Sequence, residues 1–167
     1  PPPPPPPPPF FQAEDGIRDD LEGLVGSEMC IRDRTYTVRA QVAEALNMAA
    51  GAKTPVVDAY NMTGTPPIDR AAAGMTTNPA DTQGRYVGSV NIDDGRVDIT
   101  FGNAAHQDIH GGTVSFTPYI DGSGGIVWRC AAAAAPGGTV LLSGGGVTSA
   151  HLAPTIDSRY LPSSCRS

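Results

Sequence analysis

The sequence predicts an α+β domain, with one long amphipathic helix, a four-stranded antiparallel sheet and a C-terminal segment bounded by two cysteines. Three observations carry this. Apolar residues recur at helical spacing from Val38 to Ala49. Two pairs of alternating segments then flank short turn sequences. Finally, Cys130 and Cys165 frame a stretch of alanine, glycine and serine. At 167 residues, 40% hydrophobic, the chain is long enough to build one sizeable core.

Residues 1–34 do not share that pattern. Pro1 to Pro9 would form a polyproline II rod, a form used by linkers and by SH3 or WW ligands. Gln12 to Arg34 carries seven acidic and three basic residues, a net −4 out of the chain's −6. Ile17, Leu21, Leu24 and Val25 fall loosely at helical spacing, interrupted by Gly16, Gly23 and Gly26. Back-translation offers another origin. QAEDGIRD reads as CAAGCAGAAGACGGCATACGAGAT, and VGSEMCIRDR as GTGGGCTCGGAGATGTGTATAAGAGACAG plus one base. Both resemble short-read sequencing adapters, with Asp20 to Gly23 where a variable index would lie. A run of C followed by T gives the opening prolines and phenylalanines. Residues 1–34 are therefore expected to be artefactual and disordered, with the biological sequence starting near Thr35.

Setting Cys30 aside leaves Cys130 and Cys165 as an even pair. They are read as a disulfide, with two buried free thiols as the alternative. A bridge of that span would contribute roughly 3 to 4 kcal/mol and imply an oxidising compartment.

The helix is expected over 35–61: Val38, Val42, Ala45, Leu46 and Ala49 form its apolar stripe, and Arg39, Gln41, Glu44 and Asn47 lie between them. Pro55 should bend or interrupt it, and Gly64, Pro66 and Pro67 end it. A surface loop follows over 65–84, without periodicity. The sheet is expected over 85–130. RYVGSVNI and RVDITF flank Asp93-Asp94-Gly95, and TVSFTPYI and IVWRC flank Asp121 to Gly125. Ile126, Trp128 and Cys130 share one face of the last strand, which should place the indole and the bridge against the helix. The expected core residues are Val42, Leu46, Val97, Ile99, Phe101, Val114, Phe116 and Trp128. The remainder, 130–165, is irregular and should depend on its cysteine tether for order.

The order YTVRAQVAEAL, Gly51-Ala52-Lys53, the hairpins, Trp128-Arg129-Cys130 and finally YLPSSCR resembles the globular part of a Gram-negative type IV major pilin. The resemblance spans Thr35 to Ser167 and is most specific at its two ends. It implies a pilin-like fold, in which the helix is the second half of the pilin helix and Cys130 to Cys165 bound an exposed disulfide region. The family's apolar N-terminal helical half anchors the subunit in the inner membrane and later packs in the filament core. No apolar run in this sequence reaches the roughly 20 residues a membrane span needs, and 1–34 stand where that half is expected. The implied function is structural: polymerisation into a surface filament for adhesion, twitching motility and DNA uptake, by way of inner membrane and periplasm. The implied partners are identical subunits and the assembly machinery, with a host or surface receptor as a further candidate. No enzyme activity, cofactor, metal or catalytic residue is implied. A type II secretion pseudopilin is the neighbouring alternative, and a secreted glycan-binding β-rich module the alternative from another class. The latter would need an aromatic platform from Trp128, Tyr119 and Tyr160.

Other residue patterns are weaker. His106, Asp108 and His110 could ligate a metal if a turn gathered them, but a solvated loop explains them as well. Ser149, His151 and Asp157 supply the residue types of a hydrolytic triad without a nucleophile elbow. Gly144 to Gly146 lack the residues of a phosphate loop, and NIDDGRVD lacks the closing glutamate of an EF-hand. Asn61-Met62-Thr63 matches a sequon, and Ser167 is a weak glycosylation candidate by family resemblance. From Thr35 onward eight basic residues face ten acidic ones with no basic cluster, so direct nucleic-acid binding is not indicated.

Overall fold

The computed structural model describes the backbone of residues 15–167 and the side chains of residues 32–167. The Pro1 to Pro9 rod and the side chain of Cys30 lie outside the described residues. Helix α1 spans Asp15–Thr63, so positions 15–34 are helical where disorder was expected. Glycine at about 1 kcal/mol each weakens a helix without forbidding it. Thr35–Ser167 form one compact unit.

In that unit the buried apolar helical positions are Val38, Val42, Ala45, Ala49, Ala52 and Val56, at successive spacings of four, three, four, three and four residues. That alternation keeps one stripe facing the sheet. Its three alanines give the stripe a low profile, allowing close approach. Leu46 lies at the margin of the stripe, partly buried against the core. Pro55 sits within the helix without interrupting it. Its missing N–H leaves the Gly51 carbonyl unmatched, and Gly51 is exposed, so water can take that acceptor. The helix ends where Gly64 takes φ +69° and donates to the Tyr60 carbonyl at 2.7 Å.

Strands β1 (Val87–Asp93), β2 (Arg96–Phe101), β3 (Thr113–Asp121) and β4 (Ile126–Cys130) form an antiparallel meander in that order. The β1–β2 turn is Asp94-Gly95 with φ of 50° and 80°, both positive as a type I′ hairpin requires. Val97, Ile99, Phe101, Val114 and Phe116 are buried on the sheet's inner face with the helical stripe.

The sheet has five strands rather than the four expected. Strand β5 (Thr139–Leu141) pairs with the far half of β3, matching Tyr119, Ile120 and Asp121, while β2 pairs with the near half from Thr113 to Phe116. Since β4 occupies the other edge, β2 and β5 share one side of β3 end to end. Pro118 stands near their junction, and its carbonyl accepts from Leu142 N at 3.1 Å. A proline there removes a donor where the ladder changes partner. The short strand came from a segment read as irregular because three residues carry too little periodicity.

Strands β6 (Ser143–Gly144) and β7 (Val147–Thr148) make a small separate hairpin around Gly145-Gly146. A side chain at Gly144 would overlap the Gly64 carbonyl oxygen, so the hairpin abuts the end of the helix only because that residue is glycine.

Candidate functional site

The cysteines are bonded: Cys130, ending β4, and Cys165, in a 3-10 turn at Ser163–Cys165, form a disulfide with a Cα–Cα distance of 4.8 Å. The free-thiol alternative is excluded. Around it the C-terminal segment is fixed to both sides of the domain.

On the helix side, Leu161 and Cys165 are buried in the core and Ala132 N donates to the Cys165 carbonyl at 3.1 Å. The Arg159 carbonyl accepts from Arg39 Nε at 2.8 Å and from Arg166 Nη2 at 3.0 Å. Tyr160, 3% exposed, donates its hydroxyl to Asp108 Oδ2 at 2.6 Å. That bond, with burial and the carboxylate charge, raises the phenol above its usual value.

On the opposite face, stretch 149–155 lies across the sheet. Ser115 and Thr117 alternate with inward-facing Val114 and Phe116, yet they too are buried, because this strap covers them. Ser115 Oγ donates to the Leu152 carbonyl and Arg96 Nη1 to the Ala150 carbonyl. Ser149 Oγ donates to the Asp94 carbonyl, and Thr155 N to the Thr113 carbonyl at 3.0 Å. Arg96 is clasped by Asp98 at 2.8 Å and Asp93 at 2.6 Å; the Asp98 hydrogen bond leads in raising its guanidinium further from neutrality.

Trp128, partly buried on the inner face, does not pack against an all-apolar helix surface. Lys53 comes between, its Nζ 4.0 Å from the Phe116 ring centroid and 5.4 Å from that of Trp128. Burial lowers the Lys53 ammonium from its usual value.

Loop 65–84 is anchored from within. Arg70, only 2% exposed, donates to the Thr76 carbonyl at 2.7 Å, to the Val90 carbonyl, and to the Thr82 and Thr76 hydroxyls at 2.9 and 3.2 Å. Pro66 and Pro67 are buried, and the Pro67 carbonyl receives Gly95 N of the β1–β2 turn at 2.7 Å. The sequence offered no signal for Arg70, since an isolated arginine in a polar stretch reads as a solvated side chain.

The weaker patterns are dispersed. Asp108 faces Tyr160, and His106 Nδ1 lies 3.6 Å from Asp108, but among the described residues no three His, Cys, Asp or Glu side chains are placed to hold a metal. Ser149 binds the Asp94 carbonyl, His151 the Thr117 hydroxyl, and Asp157 Oδ1 caps Arg159 N, so no triad is assembled. Tyr119 and Trp128 point to opposite faces of the sheet, as the Pro118–Trp128 and Tyr119–Val127 pairings require. With Tyr160 buried as well, the three rings form no common platform. Asn61 lies in the last turn of α1, where the Thr63 hydroxyl donates to the Ala59 carbonyl at 2.8 Å. No helix among the described residues is long and apolar enough to cross a membrane.

Comparison with known proteins places this arrangement. A family model described as pilin, a bacterial filament protein, matches residues 38–166. A type IV major pilin protein PilE1 of Neisseria gonorrhoeae is 30% identical over 132 residues, covering 78% of this chain and 71% of the relative. A fimbrial protein of Neisseria meningitidis serogroup A is 32% identical over 134 residues, covering 78% and 77%. The fimbrial protein EcpC of Eikenella corrodens is 29% identical over 136 residues, covering 78% and 72%.

Proposed function

The chain belongs to the pilin family, and from that premise we infer that it is a structural subunit of a type IV pilus, polymerising with identical copies into a cell-surface filament. The supporting observation is the combination of a long helix on a meander sheet with a disulfide that closes the C-terminal segment. The Cys130–Cys165 bridge favours a pilin over a pseudopilin. Open head-to-tail contacts between identical copies are what generate a helical fibre. Its partners are other copies of itself, the assembly machinery and a host or surface receptor. It acts without catalysis or cofactor. Its route runs through inner membrane and periplasm, where the disulfide forms. Adhesion and twitching motility are its uses, with DNA uptake as a third.

The test joins residues 35–167 to the N-terminal half of a related major pilin, in a strain lacking its own. Surface fibres that contain this domain support the reading. A folded, exported domain that never enters fibres overturns it.

A further inference from the structure

The outer face of the sheet carries a lateral row that the filament reading does not use. Thr117 of β3 pairs with Arg129 of β4. Val97 pairs with Phe116, so the antiparallel register sets Arg96 of β2 beside Thr117 on its other flank. Arg96, Thr117 and Arg129 therefore stand side by side, neighbours in such a row being about 5 Å apart. Above the middle of the row lies His151, its Nδ1 3.3 Å from Thr117 Oγ1.

The charges facing His151 from each packed element are unequal. On β2, Arg96 is matched by Asp93 and Asp98. On β4, Arg129 spends its donors on neutral oxygens, the Ala133 carbonyl at 2.6 Å and the Tyr119 hydroxyl at 3.4 Å. On β3 the facing groups are Thr117 and Ser115. His151 therefore rests beside a guanidinium that these bonds do not neutralise. The strap around it is held by few bonds: Ser149 to the Leu142 and Asp94 carbonyls, Arg96 to Ala150 and Ser115 to Leu152.

We propose that stretch 149–152 is an acid-sensitive clasp, in which protonation of His151 above the Arg96–Thr117–Arg129 row releases the strap from the outer face of the sheet. Neutral imidazole shares a hydrogen bond with the Thr117 hydroxyl without adding charge; an imidazolium adds a like charge over two guanidiniums. Burial first, then Arg129 and Arg96, hold the imidazole below its usual value. The sign follows. The strap is fully held above the ordinary histidine range and loses stability as pH falls through it toward the lower folded value. A surface subunit carrying this clasp would present the polar face of its sheet in acid surroundings.

Hydrogen exchange of the full chain at about pH 7.5 and about pH 5, corrected for intrinsic rates, tests the clasp. Protection at Ser149, whose N–H is bonded to the Leu142 carbonyl at 2.9 Å, should fall on acidification while the β1–β2 ladder is unchanged. A fall on the order of tenfold per pH unit of histidine shift is expected. His151→Gln should remove the acid response. Arg129→Gln, which keeps the histidine, should move its midpoint upward. Acid exchange at Ser149 that is the same in the wild-type chain and His151→Gln overturns the proposal, as does a midpoint unmoved by Arg129→Gln.

Discussion

Tyr160 and Asp108, 52 residues apart, join the C-terminal segment to the β2–β3 connection through a 2.6 Å hydrogen bond beneath a buried ring. The bond stabilises the protonated phenol, so its contribution is complete below the ordinary tyrosine value and is lost as pH rises through the raised folded value. Tyr160→Phe should reduce stability by about 1 to 2 kcal/mol near neutrality. Denaturant unfolding at successive pH values should show the variant's deficit vanishing in strong alkali; a deficit independent of pH would contradict this origin.

Lys53 acts with the opposite sign, in a window that ends at the ordinary lysine value. Its ammonium is disfavoured by burial, so the folded state sheds its proton first and stability rises with pH between the lowered folded value and the ordinary one. Lys53→Met keeps the apolar stem over Phe116 and removes the titration. The difference curve between variant and wild type should flatten that rise; an unchanged slope would show that the lysine titrates as in the unfolded chain.

Reduction, or Cys130→Ser with Cys165→Ser, should cost about 4 kcal/mol for a sequence separation of 35 in the chain-entropy model. The loss should appear first as fraying from Ser158 onward, because Leu161 and Tyr160 hold that end only while the tether keeps them close. A melting temperature indifferent to reductant would refute the assignment.

Arg70→Leu leaves the Thr76 and Val90 carbonyls without their buried donor and should cost about 3 kcal/mol. Arg70→Lys should rescue little, because an ammonium cannot reproduce the planar fork that meets four acceptors. Hydrogen exchange should locate the damage in 65–84; intact protection there in the leucine variant would show the loop to be held by Pro66 and Pro67 instead.

The four main strands and the helical stripe were legible because burial imposes periods of two and 3.6 on apolar residues. Val97, Ile99 and Phe101 announced a half-buried strand, and Asp94-Gly95 its turn. What escaped was built from polar residues making single long-range bonds. Gln41 and Glu44, read as spacers between apolar positions, accept the backbone N–H groups of His106 and Tyr86 at 2.8 and 2.9 Å. Together with Arg39 they fasten three loops to the helix. Nothing in the spacing of such residues distinguishes a fastener from a solvated side chain. Stretch 139–141 escaped because strand formation there depends on the free half of β3's edge, a property of the assembled sheet. Lys53 carries no local signal of its contact, because its rings are 63 and 75 positions away.

The strap and the C-terminal turns are gripped chiefly by their main chain. The carbonyls of Ala133, Ala150, Leu152, Arg159 and Leu161 accept the bonds, while the donors are mostly side chains of the helix and sheet or of Arg166. A carbonyl is present whatever residue bears it. At these carbonyls the scaffold reads the path of the segment and not its spelling, whereas Ser149, His151, Tyr160, Leu161 and Cys165 are held by their side chains. The outward side chains of the disulfide region can be exchanged at little cost to the fold beneath.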